Sequence, residues 1–323
     1  MFKPADISQW QGRIDDEADA LRWHQAIKPL NDDLNIENSS VLLGFACDEG
    51  VRRNHGRPGA KEGPAAIRRA LANLAWHHNN PIFDGGDIIC EGEQLEVAQR
   101  QLAEQVTSIL HRNARPLILG GGHEMAWGSF LGLSNYLQQT AIKKNRIGII
   151  NFDAHFDLRA PMPQATSGTP FRQIAQQCKD QQQPFNYMVL GINPLANTNT
   201  LFEFAKNHHV TWRYDTDCTQ DQLPSITQQF DRFLKEIDEL YVTICLDVFA
   251  PHIAPGVSAP STIGIEPLFA LKLIETIKQR CTQHQVRWRI SDIAEMNPIY
   301  DIEQRTARLA ARLIESTVKF HNR

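Results

Sequence analysis

The chain has 323 residues, of which 42% are hydrophobic and 22% charged, and its formal net charge is −4. This ordinary globular composition excludes a mainly disordered chain or a fibre, and the acidic balance offers no general attraction to nucleic acid or anionic lipid. The first residues lack the apolar core of a signal peptide, and no window approaches the ~20 apolar residues of a membrane span. We therefore expect a soluble, cytoplasmic protein without nucleic-acid or membrane partners.

Short apolar runs alternate with longer amphipathic segments along the chain. The predicted strands are 41–47, 116–120, 146–153, 187–192, 210–215, 239–247 and 286–293. The predicted helices are 64–76, 94–113, 123–138, 221–237, 266–283 and 301–318. Several of the strands are apolar throughout, which is typical of strands covered by helices on both faces. The alternation predicts an α/β fold, a three-layer αβα sandwich around a mostly parallel sheet of roughly eight strands.

No linker or change of composition divides the sequence, so 1–323 is predicted to be a single domain. Residues 1–40 are predicted to form an arm packed on this domain, and 160–185 a long loop that leads into a helix. Ligands of open parallel sheets bind beyond the carboxyl ends of the strands. Functional residues are therefore sought directly after the predicted strands.

The sequence Asp-Ala-His-Phe-Asp at 153–157 follows an apolar strand and carries the strongest chemical signal. Its carboxylate and imidazole groups suit Mn²⁺, Fe²⁺, Zn²⁺ or Ni²⁺. Most histidines are ordinary core or surface residues, but buried carboxylates at this density repel one another unless a cation lies between them. The motif therefore predicts a metal site. Gly-Gly-Gly-His-Glu at 120–124 is a weaker signal, because it continues into neither phosphate-binding glycine motif, and His123 fits a further ligand.

Four segments together resemble the ureohydrolase family of arginases and agmatinases. They are GGGHE at 120–124, DAHFDLR at 153–159, LDVFAPHIAPGVSAP at 246–260 and AEMNP at 294–298. The resemblance implies a homo-oligomer whose parallel αβα domain holds two Mn²⁺ ions bridged by hydroxide, which attacks a guanidinium or amidine carbon. The metal ligands it implies are His123, Asp153, His155, Asp157, Cys245 and Asp247.

Within the family, three further segments resemble the branch that hydrolyses N-formimidoyl-L-glutamate to L-glutamate and formamide in histidine degradation. They are WQGRIDDEADALRWHQ at 10–25, DEGVRRNHGRPGAKEGPAAIR at 48–68 and SGTPFRQ at 167–173. That small-molecule substrate carries two carboxylates, which arginine can bind bidentately. The implied substrate-binding residues are Asn54, Arg57, Arg159, Ser167, Thr169 and Arg172. The implied catalytic residues are Asp157, as proton acceptor, and Glu295, which would face the cationic head of the substrate.

Two positions depart from the family pattern. Phe171 stands where arginases have a proton-shuttling histidine, so the general acid is open, with His252 a candidate by its proximity to Asp247. Cys245 stands where the family has a bridging aspartate, and one thiolate is softer than Mn²⁺ prefers and cannot span two ions as a carboxylate does. Cys245 could ligate Fe²⁺, Zn²⁺ or Co²⁺, weaken one Mn²⁺ site, or mark a degenerate binder. We expect retained catalysis with one weakened site, and a reversible disulfide between Cys47 and Cys245 is a further hypothesis.

Three other functions stay open at this point. Another ureohydrolase, such as an agmatinase or a guanidinobutyrase, would not need the arginines near the site. A non-catalytic metabolite-binding protein of the same fold would explain Cys245. An unrelated metal-dependent deacetylase would explain residues 153–157 but not the segments that flank them.

Overall fold

The computed structural model describes residues 1–140 and 145–321, and within this part of the chain ten strands form one sheet. The strands are β1 (Phe2–Lys3), β2 (Lys28–Pro29), β3 (Ser40–Ala46), β4 (Ile82–Ile89), β5 (Arg115–Gly120), β6 (Ile147–Phe152), β7 (Asn186–Ile192), β8 (Thr211–Tyr214), β9 (Glu239–Cys245) and β10 (Arg287–Ala294). Their spatial order is β1-β4-β3-β5-β10-β9-β6-β7-β8, with β2 also paired to β4. The β1–β4 pair is antiparallel and the other pairs are parallel.

Helices cover both faces of this sheet. They are α1 (Trp23–Ala26), α2 (Glu49–Arg53), α3 (Gly63–Ala72), α4 (Leu95–His111), α5 (Met125–Gln139), α6 (Pro170–Asp180), α7 (Asn199–Asn207), α8 (Leu223–Leu234), α9 (Pro267–His284) and α10 (Arg305–His321). One apolar cluster joins α3, α8, α9 and α10 to the sheet, and a second joins α4, α5, α6 and α7 to the opposite face. Successive residues of β9 alternate between the two clusters, as a strand buried on both faces must. The predicted αβα sandwich is confirmed.

Strand β4 was not predicted, because its sequence Ile-Phe-Asp-Gly-Gly-Asp-Ile-Ile contains an Asp-Gly-Gly run that is typical of a turn. The strand forms because its two aspartates have a buried cation beside them. Arg68 Nη2 lies 2.9 Å from Asp84 Oδ1, and Arg68 Nη1 lies 2.6 Å from Asp87 Oδ1. Gly86 adopts a φ of +81°, which a residue with a side chain rarely adopts. A long-range ion pair therefore decides the structure of this segment.

The first 40 residues add two short strands at the β4 edge, so the sheet has ten strands where roughly eight were predicted. Trp23 is fully buried, and Trp10 Nε1 donates a hydrogen bond to Asp84 Oδ2 at 2.7 Å. We propose on this basis that 1–323 forms one domain, with 1–40 as an arm on that edge. None of the described helices is long and apolar enough to cross a membrane.

The centre of the sheet places the predicted functional segments together. Strands β5, β10, β9 and β6 are consecutive neighbours, and they run parallel. The carboxyl ends of these four strands therefore lie side by side at one edge. The residues at or directly after these ends are 120–124, 153–157, 245–247 and Glu295.

Candidate metal centre and substrate cavity

Two groups of potential metal ligands share one aspartate at this edge. The ligand atoms of His123, Asp153 and Cys245 lie within 4.8 Å of one another, and so do those of Asp153, His155 and Asp247. Asp153 Oδ2 lies 3.0 Å from His123 Nδ1, whereas Asp153 Oδ1 lies 3.5 Å from His155 Nδ1. One carboxylate oxygen thus faces each group, which is the arrangement of a carboxylate that bridges two ions.

Asp157, the sixth predicted ligand, completes this cluster, and Asp247 lies close to His155. Asp157 Oδ2 lies 3.1 Å from His123 Nδ1, and Asp247 Oδ2 lies 3.1 Å from His155 Nδ1. Asp157 adopts a φ of +48°, which is uncommon for a residue other than glycine. The structure therefore brings all six residues predicted as ligands to one place.

The donor atoms of this cluster fit divalent cations. His123 Nδ1 lies close to two carboxylates, yet it is buried without a hydrogen bond to any described residue, as is Asp247 Oδ1. The second ring nitrogen of His123, Nε2, lies 2.9 Å from Thr243 Oγ1. Buried polar atoms are nearly always paired, and unpaired ones in such a cluster are typical of metal ligands. Five of the six residues are carboxylate or imidazole ligands, and Cys245 is the one soft donor.

Crowding of the carboxylates shifts their proton affinities. Burial, followed by the charge of Asp153, raises the pKa of Asp157 to about 6 and also raises the pKa of Asp247. Burial lowers the pKa of His123, but the adjacent carboxylates of Asp153 and Asp157 raise it more, so it lies well above the usual value. Burial raises the pKa of Asp153, but the adjacent His123 and His155 lower it more, so this carboxyl stays ionised. In the metal-free protein, bound protons therefore offset part of the negative charge that cations would offset in the metal-loaded protein.

These shifts predict opposite pH dependences for the stability of the metal-free protein and for the stabilisation that Mn²⁺ adds to it. A carboxyl with a raised pKa, like a histidine with a raised pKa, holds a proton in the folded state that the unfolded chain releases. Stability of the metal-free protein should therefore fall between pH 6 and pH 8, by about 1.4 kcal/mol per pH unit for each excess proton. Mn²⁺ must displace these protons, so the rise in Tm caused by MnCl₂ should be larger at pH 8 than at pH 6. Differential scanning calorimetry measures both, and an equal rise at the two pH values would contradict this assignment.

A cavity of about 390 Å³ lies over the cluster. The predicted residues that line it include the substrate-binding candidates Asn54, Arg57, Arg159 and Ser167 and the catalytic candidates Asp157 and Glu295. His55, Asn197 and Ser258 also line it and were not predicted, because nothing in their local sequence marks them. A small polar molecule could therefore contact the metal ligands and an arginine at the same time.

Arg159 is held at the mouth of this cavity by its backbone. Its N–H donates to the Gly168 carbonyl at 2.9 Å, and a Cβ on Gly168 would lie only 2.9 Å from Arg159 Cδ. A side chain at position 168 would therefore displace the Arg159 side chain from this position. The Asn54 side-chain amide donates to Ser167 Oγ at 3.2 Å and links the loop to the residues after α2. The Arg159 guanidinium makes no ion pair or hydrogen bond with the part of the chain that the structure describes.

The other predicted arginines are differently placed. Arg57 donates to the carbonyls of Ser258 at 3.3 Å and Pro255 at 3.5 Å, and its guanidinium lies 3.9 Å from the centre of the Tyr300 ring. Most of the Arg57 side-chain N–H groups are therefore directed at backbone carbonyls of the loop at 255–258. Arg172 lies outside the residues that line the cavity, with its guanidinium 3.7 Å from the centre of the Phe204 ring.

Thr169 also lies outside the cavity lining. Its hydroxyl accepts the Thr166 N–H at 3.0 Å, which closes the turn before α6. Helix α6 then starts at Pro170 and turns Arg172 away from the cavity. The predicted substrate-binding set is therefore split by this helix start, which the spacing of the residues in the sequence could not reveal.

Phe171 is buried beneath the cluster and does not line the cavity. Its ring stacks on Tyr187 with centroids 4.4 Å apart and meets the His123 ring edge-on at 5.4 Å. His252 is exposed and lies outside the cavity lining, so proximity in sequence to Asp247 was misleading. Among the described histidines, His55 is the one that lines the cavity without joining a ligand group.

The six cysteines are free thiols. Cys47 Sγ lies 3.5 Å from Glu124 Oε1 and within hydrogen-bonding reach of Cys90, which follows the neighbouring strand β4. Cys245 instead faces His123 and Asp153. The thiol beside Cys47 is thus Cys90, and the structure offers no support for pairing Cys47 with Cys245.

Comparisons with known proteins agree with this geometry. Residues 38–319 match the model of the arginase family. The chain is 47% identical to a formimidoylglutamase of Ralstonia nicotianae, over 98% of this chain and 97% of the relative, and 47% identical to one of Photobacterium profundum, over 95% and 93%. The fold is similar to the crystal structure of a Bacillus subtilis formimidoylglutamase, with a TM-score of 0.82 and 22% identity over 96% of this chain and 94% of that chain. It is also similar to a Trypanosoma cruzi formiminoglutamase solved with Mn²⁺, with a TM-score of 0.71 and 23% identity over 87% and 92%.

Proposed function

The chain belongs to the arginase family, and we propose that it hydrolyses N-formimidoyl-L-glutamate to L-glutamate and formamide in histidine degradation. One observation carries the choice of substrate beyond the family: the Arg159 guanidinium stands unpaired among the described residues, over a cavity floored by two ligand groups. A substrate with a cationic formimino group at one end and carboxylates at the other matches this arrangement. The relatives at 47% identity carry the name of this activity.

The cofactor is Mn²⁺, with two ions per chain held by the groups that share Asp153. Bound there, the ions supply an activated water for attack on the formimino carbon and offset the negative charge that develops. The water adds to that carbon, and the bond from the carbon to the glutamate nitrogen breaks, which gives formamide and glutamate. Asp157 accepts the proton that the water loses, since it lines the cavity beside His123. The same carboxyl then protonates the departing nitrogen.

Glu295 binds the cationic head of the substrate. Its Oε1 accepts the backbone N–H of His123 at 2.9 Å, which fixes the carboxyl at the cavity wall. Its Oε2 is buried beside Ser258 without a hydrogen bond of normal geometry to a described residue, so it can accept an N–H of the formimino group. Glu295 has a φ of +68°, a strained conformation that places its side chain in the cavity.

The carboxylates of the substrate lie at the other end of the cavity. Arg159 binds one of them through its free guanidinium, with Asn54 and Ser167 beside it. Arg57 contributes through the loop at 255–258 that its side chain holds. Thr169 acts at a distance, by closing the turn before α6, whereas Arg172 lies over the Phe204 ring outside the cavity.

The protein's setting completes the proposal. We place the enzyme in the cytoplasm as a homo-oligomer with no nucleic-acid or membrane partner. The net charge of −4 argues against polyanion binding. Exposed apolar side chains such as Leu268, at 79% exposure, are suited to an interface between copies.

Product formation from a panel of substrates tests this function. Protein loaded with Mn²⁺ under reducing conditions is incubated with N-formimidoyl-L-glutamate, L-arginine or agmatine, and glutamate, formamide and urea are quantified. We expect glutamate and formamide in equal amounts and no urea. Urea from arginine or agmatine would instead support the runner-up, a guanidino-hydrolysing member of the family, and Mn²⁺ binding without any product would support a non-catalytic binder.

A further inference from the structure

A row of three buried polar residues lies beneath the metal ligands. Asn151 of β6 and Asp292 of β10 are both register partners of Thr243 on β9, which runs between these two strands. All three side chains are fully buried, and they lie on the face of the sheet that α5 covers. Polar side chains in the middle of such a sheet are costly unless they pair, so this row has a reason to exist beyond packing.

Two residues of the row contact predicted metal ligands, and the third lies beside one of those two. The Asn151 amide donates to Asp153 Oδ2 at 3.0 Å. Thr243 Oγ1 lies 2.9 Å from His123 Nε2, the ring nitrogen that faces away from the ligand groups. Asp292 sits next to Thr243 on the side away from Asn151. The row therefore reaches both His123 and the aspartate that the two groups share.

Asp292 accepts hydrogen bonds from two neighbouring hydroxyls and lies beside a third. Its Oδ2 accepts from Tyr241 and, at 3.1 Å, from Ser129 Oγ. Its Oδ1 is buried without a hydrogen bond of normal geometry to a described residue, and the hydroxyl of Thr243, its register partner, lies within reach of this carboxylate. A carboxylate offers acceptors only, so Thr243 can only donate to it.

This direction of donation decides the tautomer of His123. A threonine hydroxyl has one hydrogen, and once that hydrogen goes to Asp292, Thr243 Oγ1 can only accept from His123. His123 Nε2 then carries the ring proton, which leaves the lone pair of Nδ1 to bind a cation that lies among His123, Asp153, Asp157 and Cys245. A metal-binding histidine is commonly held by a partner on its other nitrogen in this way.

We propose that Thr243 and Asp292 are positioning residues, which hold His123 in the Nε2–H tautomer and thereby make Nδ1 a metal ligand. This inference rests on the metal centre of the proposed function but assigns the support of one ion to residues that touch neither metal nor substrate. It adds a chain from Asp292 through Thr243 to His123 that the sequence did not indicate. Threonine and aspartate on neighbouring strands carry no recognisable motif.

Binding of Mn²⁺ itself, rather than activity, tests the proposal. Metal-stripped protein is titrated with MnCl₂, and free Mn²⁺ is followed by its electron paramagnetic resonance signal. Thr243→Val removes the hydroxyl at nearly constant volume, and we expect one of the two ions to bind about 10-fold more weakly or worse while the other is unchanged. Thr243→Ser keeps the hydroxyl and should restore binding, which a purely packing role for the threonine methyl would not do.

Two further variants complete the design. Thr317→Val removes a buried hydroxyl that bonds the Leu313 carbonyl in α10, far from the row, and should leave both ions unaffected. Asp292→Asn can donate to Thr243, which reverses the hydrogen-bond direction and favours the wrong tautomer, so it should weaken the same single ion as Thr243→Val. It also provides the decisive result if Thr243→Val fails to fold.

The outcomes separate the inference from the function on which it rests. Wild-type protein that binds two ions, with Thr243→Val or a folded Asp292→Asn binding both equally well, would overturn the positioning role alone. Wild-type protein that binds no Mn²⁺ would overturn the metal centre itself. Selective loss of one ion in both variants, restored in Thr243→Ser, is the result the structure predicts.

Discussion

Replacement of Asp153 with asparagine is expected to lower kcat for N-formimidoyl-L-glutamate by at least about 1,000-fold. Asp153 is fully buried, and its two oxygens face the two ligand groups separately, so one substitution weakens both metal positions. Asparagine keeps the shape but supplies one oxygen and no charge. Steady-state kinetics at saturating Mn²⁺, together with the Mn²⁺ content of the purified variant, measure the effect.

The matched control is Asp215→Asn. Asp215 is also a buried aspartate, but its side chain accepts the Thr216 N–H at 2.8 Å and lies outside both ligand groups and the cavity lining. We expect this variant to keep the kcat of the wild type. An Asp153→Asn protein that binds two ions and stays within about tenfold of wild-type kcat, a difference of about 1.4 kcal/mol, would show that Asp153 does not bridge a catalytic pair.

The second large effect is expected for Arg159→Met. Methionine keeps much of the apolar stem that packs against Gly168 but removes the charge and the hydrogen-bond donors. Loss of a charge-assisted bidentate contact should lower kcat/KM by about 100-fold, mostly through KM, because the carboxylate lies far from the carbon that reacts. Initial rates over a range of substrate concentrations separate the two constants.

Arg172→Met controls for the loss of a nearby positive charge. The Arg172 guanidinium lies over the Phe204 ring and outside the cavity, so KM should stay close to the wild-type value. The opposite pattern, in which Arg172→Met raises KM and Arg159→Met does not, would reassign the carboxylate site to the far side of the loop.

The meeting of the predicted ligands could be expected from the sequence for a topological reason. Parallel strands all end at one edge of their sheet, so polar clusters that follow apolar strands meet there whatever the strand order. The structure brings residues 153–157 and Asp247 together at this edge, and expecting this required no knowledge that β5, β10, β9 and β6 are neighbours. The family resemblance implied two metal ions, and the structure shows how the predicted ligands divide into two groups.

Features that depend on long-range contacts were not predictable. The sequence of strand β4 is typical of a turn, and the ion pairs that Arg68 makes with its aspartates are visible only in the structure. The sequence suggests that Arg172 binds a second carboxylate of the substrate, but α6 starts at Pro170 and directs Arg172 toward the Phe204 ring. His55 reaches the cavity from the loop after α2, and the resemblance of the segment 48–68 implied no role for it.

Cys245 is the one thiol among the grouped ligands of the folded protein. The structure places its thiol in the group with His123 and Asp153, so it lies where the family's bridging aspartate would be. Burial, followed by the charges of Asp153 and Asp247, raises the pKa of this thiol well above its usual value. In the absence of a cation the thiol is therefore protonated, which agrees with the expectation that one of the two Mn²⁺ positions binds its ion more weakly than the other.

The most direct test of the whole account is activity as a function of bound metal. Metal-stripped protein is reconstituted with increasing Mn²⁺, and the release of glutamate and formamide from N-formimidoyl-L-glutamate is measured at each ratio of Mn²⁺ to chain. We expect no release without metal and a rate that reaches its plateau when two ions are bound per chain. Full activity of the metal-stripped protein, or no release with two ions bound, would contradict two-metal hydrolysis of this substrate.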